Sequence, residues 1–181
     1  MRRGYQESQK NKDRSIEVQP CIIGPGYIAV SSDPAMLCSV CGNGVVVTLW
    51  EHLRKIGGMI HCVYPTSEHR APSSNYCADT ALYQLLSQMV KANAHPLYME
   101  AQIFGAGSLN GYAAKRAAKV VKTIRKILHK FDIDVVSEDI GGRLGRKVIF
   151  HTLSGETMVV KTKNVRKADW APEFAVNECD T

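Results

Sequence analysis

Hydrophobic positions along this chain become organised only from Cys21 onward. Residues 1–19 are polar and charged with little periodicity, which predicts a flexible tail. Residues 21–30 form a strand pattern interrupted by Gly24-Pro25-Gly26. Residues 44–50 are rich in β-branched side chains and bounded by glycine, as in a buried strand. A turn over 51–55 and the pair Gly57-Gly58 lead into a second strand over 59–64, closed by Pro65. The short connection makes these two strands antiparallel. The polar stretch 66–75 reads as a loop. In 79–91, Ala81, Leu82, Leu85, Leu86, Met89 and Val90 recur at helical spacing, with Asp79 complementing the helix dipole. A strand over 98–104 ends at Gly105-Ala106-Gly107, and 112–130 is a second helix with Val120, Val121, Ile124, Ile127 and Leu128 inward. Strands over 133–137, 146–151 and 157–161 follow, with turns at Gly141-Gly142 and Ser154-Gly155, and the chain becomes acidic from Ala168.

Strands and helices thus mix unevenly, which predicts an α+β fold with mixed or antiparallel sheet layers and two main helices. The expected organisation is one domain over 20–165, between a polar tail (1–19) and an acidic tail (166–181). A length of 181 residues suits one domain with a sizeable core. No apolar run approaches the roughly 20 residues that span a bilayer, so no membrane insertion is expected. The basic start has no apolar stretch behind it, which excludes an ordinary secretory signal and makes the cytoplasm the expected location. In that compartment the six cysteines read as reduced thiols. The net charge of +6 is concentrated in the tail through Arg14 and in 115–128. Without a zinc-finger, RRM or KH signature beside it, this basic segment reads as a solvated helix face, and no nucleic-acid partner is expected.

Four features could carry chemistry. His61 emerges from a glycine-preceded strand, although a histidine among apolar residues also serves as a satisfied core group. Cys38-Ser39-Val40-Cys41 has C-x-x-C spacing, but Cys62 and Cys77 do not supply the second pair that zinc requires. A redox motif would open a helix, whereas here a glycine turn and a strand follow. Cys41-Gly42-Asn43-Gly44 could present backbone N–H groups to an oxyanion, or could be a plain tight turn. The glycines within 138–147 are reminiscent of a phosphate loop, but no Walker pattern matches. No metal or cofactor is expected.

Taken in order along the chain, several motifs resemble the CheD proteins. Lys55-Ile56-Gly57-Gly58-Met59-Ile60-His61, ending in Pro65, is similar to the segment that carries the active-site histidine of that family. Tyr76-Cys77-Ala78-Asp79-Thr80-Ala81 resembles its Tyr-x-Asp-x-Ala helix start, and Ala101-Gln102-Ile103-Phe104-Gly105-Ala106-Gly107 its A-K-[VI]-F-G-G-A strand and turn. Ser137-Glu138-Asp139-Ile140-Gly141-Gly142 through Gly145-Arg146-Lys147-Val148-Ile149-Phe150 is similar to its E-D-[VIL]-G-G…G-R-K-V-x-F block. Gly155 sits where the family has its final hairpin.

The resemblance implies a protein-glutamine deamidase of bacterial chemotaxis. Such a protein converts chosen glutamines of methyl-accepting chemotaxis receptors to glutamate and binds the phosphatase CheC. A thiolate attacks the carboxamide, a histidine activates it, and a threonine upstream completes the site in a T-x-x-x-G-S-C pattern. Counted back from His61 without gaps, G-S-C falls on Gly42-Asn43-Gly44 and the threonine on Cys38. The histidine is kept, while glycine occupies the nucleophile position. The family's I-G-x-x-N motif is also absent, Tyr112-Ala113-Ala114-Lys115-Arg116 standing in its place. Two readings follow. One is an active deamidase in which Cys38 or Cys41 supplies a displaced thiol to His61. The other is a catalytically inactive CheD-like module that binds receptors or a CheC-like phosphatase.

Overall fold

The computed structural model describes residues 20–68, 73–107, 111–163 and 165. Both expected tails, and part of the loop expected over 66–75, lie outside the described residues. The glycine-proline break at 24–26 divides the first apolar run into β1 (Pro20–Ile22) and β2 (Ile28–Ser31). Then come β3 (Met36–Cys41), β4 (Val45–Glu51) and β5 (Ile56–Cys62). Helix α1 (Ala78–Lys91), β6 (Met99–Gly105) and helix α2 (Gly111–Lys130) follow, and β7 (Asp134–Ile140), β8 (Gly145–His151) and β9 (Thr157–Thr162) close the domain. The α+β class expected from the sequence is the one observed.

Strand β3 was not expected as a strand. The segment carries a C-x-x-C spacing, yet it contains no strand breaker and is buried from Leu37 to Cys41. It lies between β1 and β8 in a four-stranded sheet ordered β1-β3-β8-β9. The second sheet is ordered β2-β5-β4-β6-β7. Most pairings are antiparallel, but β6 and β7 run parallel, joined through α2 as one βαβ unit within the α+β frame.

Side-chain alternation along the strands builds three layers. On β4, Val45, Val47 and Leu49 face the two helices, where they pack with Leu82, Leu85 and Met89 of α1 and Val120, Ile124 and Leu128 of α2. Val46 points the other way, into the space between the sheets, with Leu37, Cys41, Met59, Phe104, Val148 and Phe150. Gly57 and Gly58 lie inside β5 because both faces of the strand are crowded there. A β-carbon on Gly57 would come within 2.8 Å of Phe150 and Thr152, and one on Gly58 within 2.7 Å of Leu85. Among the described residues, no helix is long and apolar enough to cross a membrane.

Candidate functional site

The site sits between the two sheets, where the turn Gly42-Asn43-Gly44 joins β3 to β4 and β5 runs alongside. On β5, Met59 and His61 alternate with Ile60 and Cys62, so His61 projects into the same layer as Met59, away from the helices. It is 2 % exposed. A buried imidazole needs a polar partner, and β3 supplies one. Ser39 Oγ lies 3.1 Å from His61 Nδ1 and 2.6 Å from the carbonyl oxygen of Ile23. A carbonyl only accepts, so the single hydroxyl hydrogen of Ser39 goes to Ile23. Ser39 must then accept from His61, which places the ring proton on Nδ1 and leaves Nε2 as the basic nitrogen. Burial holds the imidazole at about 4, against a partial opposing effect of the Ile23 carbonyl, so the ring is neutral near pH 7.

The basic nitrogen is turned toward residue 44. A β-carbon built on Gly44 would overlap His61 Nε2 and lie 3.1 Å from the carbonyl oxygen of Cys62. The position that would carry the nucleophile and the position that would activate it are therefore neighbours, and the ring occupies the space a side chain at 44 would need. The loop itself is pinned to the turn after β6. Ala106 N–H donates to Gly44 O at 2.8 Å, and Gly107 N–H to Gly42 O at 2.9 Å. Gly105 is glycine at φ 115°, and a β-carbon there would run into Gly44 O. Within the loop Gly44 is buried, Gly42 half-buried and Asn43 exposed.

Of the two thiols expected nearby, Cys38 lies on the face of β3 opposite Ser39, whereas Cys41 lies in the same inter-sheet layer as Met59. Ser39, not Cys38, meets the histidine, because neighbours on a strand face opposite ways. Cys38 is buried, and burial raises its thiol above the usual range despite the nearby Lys147 charge. Cys41 lies beneath Gly105, fully buried, and burial pushes it up to about 12, outweighing the charge of Arg146. Neither is a thiolate near pH 7. Cys62 is likewise raised by burial. Among the described residues no cluster of His, Cys, Asp and Glu is arranged to hold a metal.

Two further groups were missed by the sequence reading. One is Ser39, whose signal was a lone hydroxyl in the otherwise apolar run 36–41. The other is Arg146, 3 % exposed, which clamps the neighbouring loops. Its guanidinium donates to Leu144 O at 2.7 Å and to Asp139 Oδ1 at 2.9 Å, while Lys161 reaches Asp139 Oδ2 at 3.2 Å. Burial alone would raise the Asp139 carboxyl, but hydrogen bonds from Arg146 and Lys161 outweigh it and hold it below the usual range.

Fold and site together define a three-layer α+β domain with a buried, neutral histidine held through Nδ1 between two sheets. The family described as CheD chemotactic sensory transduction matches residues 64–161, starting just after the strand that carries His61. The chain is 32 % identical over 137 residues to a probable chemoreceptor glutamine deamidase CheD of Anaeromyxobacter dehalogenans, covering 74 % of this chain and 80 % of that one. It is 32 % identical over 141 residues to the probable enzyme of Clostridium novyi, covering 74 % and 87 %. To the chemoreceptor glutamine deamidase CheD of Thermotoga maritima it is 30 % identical over 142 residues, covering 77 % and 90 %. The chain belongs to the CheD family.

Proposed function

We propose that this chain acts on methyl-accepting chemotaxis receptors as a CheD-family binding module without glutamine deamidation of its own. The observation that carries this reading is Gly44 packed against His61 Nε2, with no β-carbon between them. Deamidation by this family's chemistry needs a bond from sulfur to the carboxamide carbon. Glycine supplies no atom for that bond. A thiol displaced to Cys38 or Cys41 does not replace it. The first lies on the opposite face of β3 from Ser39, and both are buried with their thiols held protonated. His61 also lines neither of the described surface concavities, one along α1 and one between α2 and β7. The ring itself is 2 % exposed, so it offers a glutamine side chain little open surface. The partners that fit this reading are the receptors and a CheC-like phosphatase.

The test pairs two measurements on the full chain. Receptor cytoplasmic fragments are incubated with it, and ammonia release and glutamine-to-glutamate conversion by mass spectrometry are followed, with the Thermotoga relative as positive control. Binding of the same fragments is measured in parallel by calorimetry. Binding without conversion is expected. Conversion lost in Cys38→Ala or Cys41→Ala as well as in His61→Ala would overturn the reading in favour of a moved nucleophile. Absence of both conversion and binding would remove the receptor as partner.

A further inference from the structure

Helix α2 carries Lys115, Arg116, Lys119, Lys122, Arg125, Lys126, His129 and Lys130, with no acidic residue along its length. Lysines recur at 115 and 119, 119 and 122, 122 and 126, and 126 and 130, spacings at which like charges repel. The described residues do little to relieve this. Among the described residues the one ion pair of α2 joins Arg125 to Glu138, at 2.7 Å. Lys115, Lys119, Lys122 and Lys126 make no ion pair with any described residue.

Beside this ridge a groove of about 650 Å³ runs between α2 and the end of β7. Ala106, Ala114, Ala118, Val121 and Ile140 form its floor, with Gly141 in the wall opposite α2. Lys122 and Arg125 form its rim. Ala114 and Ala118 stand one helical turn apart, so their small side chains leave a trough along α2. Gly141, at φ 77° with nothing within 4 Å of a would-be β-carbon, keeps the far wall low.

We propose that this groove is the docking surface for an acidic amphipathic helix of a protein partner. Aliphatic side chains of that helix fill the alanine-floored trough, and its carboxylates meet Lys115, Lys119 and Lys122. An apolar trough flanked by lysines that pair with no described residue matches such a helix on both counts. A nucleic acid would satisfy the lysines and leave the trough empty. A lipid surface needs an apolar face to insert, and that of α2 is already committed to the core through Ala117, Val120, Ile124 and Leu128. The groove is distinct from the site at 44 and 61 and stands whether or not glutamine is turned over. It is also adjacent to it, since Ala106 on its floor donates to Gly44 O.

The probe is a fluorescein-labelled synthetic peptide of about five helical turns, leucine on one face and glutamate on the other. Anisotropy titrations use the full chain. Saturable binding is expected, weakened by salt. It should fall at least about tenfold in the double variant Lys119→Glu, Lys122→Glu, and by a similar factor in Ala118→Phe, which fills the trough. Ala118 is exposed, so that variant should keep the wild-type melting profile. Three results would overturn the proposal. They are no saturable binding, binding indifferent to Ala118→Phe and to replacement of the peptide's leucines by serine, and tighter binding of a labelled DNA duplex than of the peptide.

Discussion

Replacing Gly44 by cysteine asks whether the site lacks only its nucleophile. The backbone permits the change, since Gly44 is not among the residues at positive φ. The space does not come free, because the new β-carbon overlaps His61 Nε2 and lies 3.1 Å from Cys62 O. The imidazole must yield by a fraction of an ångström or more while Ser39 holds its other nitrogen at 3.1 Å. Overpacking of a tight interior at this scale costs about 1–3 kcal/mol. In a chain of this length that lowers Tm by roughly 2–12 °C, with Gly44→Ala matching it because the clash is at the β-carbon. In Gly44→Cys alone, the thiol then lies against a neutral imidazole able to take its proton. A misfit of about 1 Å costs on the order of a hundredfold in rate, so receptor-glutamine conversion should become detectable but remain well below that of the Thermotoga relative. Ammonia release, iodoacetamide trapping of residue 44 and thermal melts of both variants provide the assay. A folded Gly44→Cys protein whose new thiol is alkylated no faster than Cys38 would refute the geometry. So would unchanged stability in both variants.

Three further outcomes follow from the same contacts. The imidazole of His61 titrates at about 4 in the folded chain against 6.5 ordinarily, so the unfolded chain takes up its proton first as pH falls. Stability from this group is complete above about pH 6.5 and declines toward pH 4, by roughly 3 kcal/mol in all. In urea titrations across that range His61→Gln should lose this part of the slope, and identical slopes would contradict it. Ser39→Ala and Gly44→Ala act on the same ring from opposite sides, so their costs should not add. Freed from Ser39, the ring can retreat from a β-carbon at 44, giving a coupling of about 0.5–3 kcal/mol in a double-mutant cycle, and strict additivity would argue against a shared ring. Arg146→Met removes a buried hydrogen-bonded charge and should cost about 1.5–3 kcal/mol by urea unfolding. In that variant the Asp139 carboxyl, still paired to Lys161, should titrate higher when followed by NMR.

The two helices were legible because their buried residues recur at regular helical spacing, whatever they pack against. The β4–β5 hairpin was legible for a similar reason, its β-branched run and short turn being local signals. Strand β3 was hidden by its own chemistry, since a C-x-x-C spacing invites a metal or redox reading of residues that lie in the interior of a sheet. The strand expected over 133–137 runs on to Ile140, because parallel pairing with β6 continues through Glu138 and Asp139, whose polarity masks the pattern. At the candidate site His61 could be singled out from the sequence, but its partner could not. The contact between Ser39 and His61 spans 22 positions and depends on how two sheets stack, which no local pattern records. Counting without gaps placed Cys38 where the hydroxyl was expected, and the side-chain alternation of β3 placed Ser39 there instead.

The persistence of His61 beside a glycine invites a reading as a trace of catalysis, but the packing offers a different cause. Truncating residue 44 to hydrogen opens a gap beside the imidazole, and an unfilled gap in a close-packed interior is costly. Here the ring fills the gap itself, and the pairing of Nδ1 with Ser39 satisfies it without charge. Replacing His61 by an apolar residue would remove the donor to Ser39 Oγ, whose hydroxyl would still donate to Ile23 O, while replacing it by a charged one would bury an ion in a site that holds the imidazole neutral. The histidine is thus held by the structure even with no substrate to activate. That separates two properties the family ordinarily combines. On the proposed reading, hydrolysis depends on one side-chain atom at position 44, and receptor binding does not. Loss of that atom leaves the framework intact, because His61, Ser39 and Gly44 form a packed arrangement that needs no nucleophile to be stable.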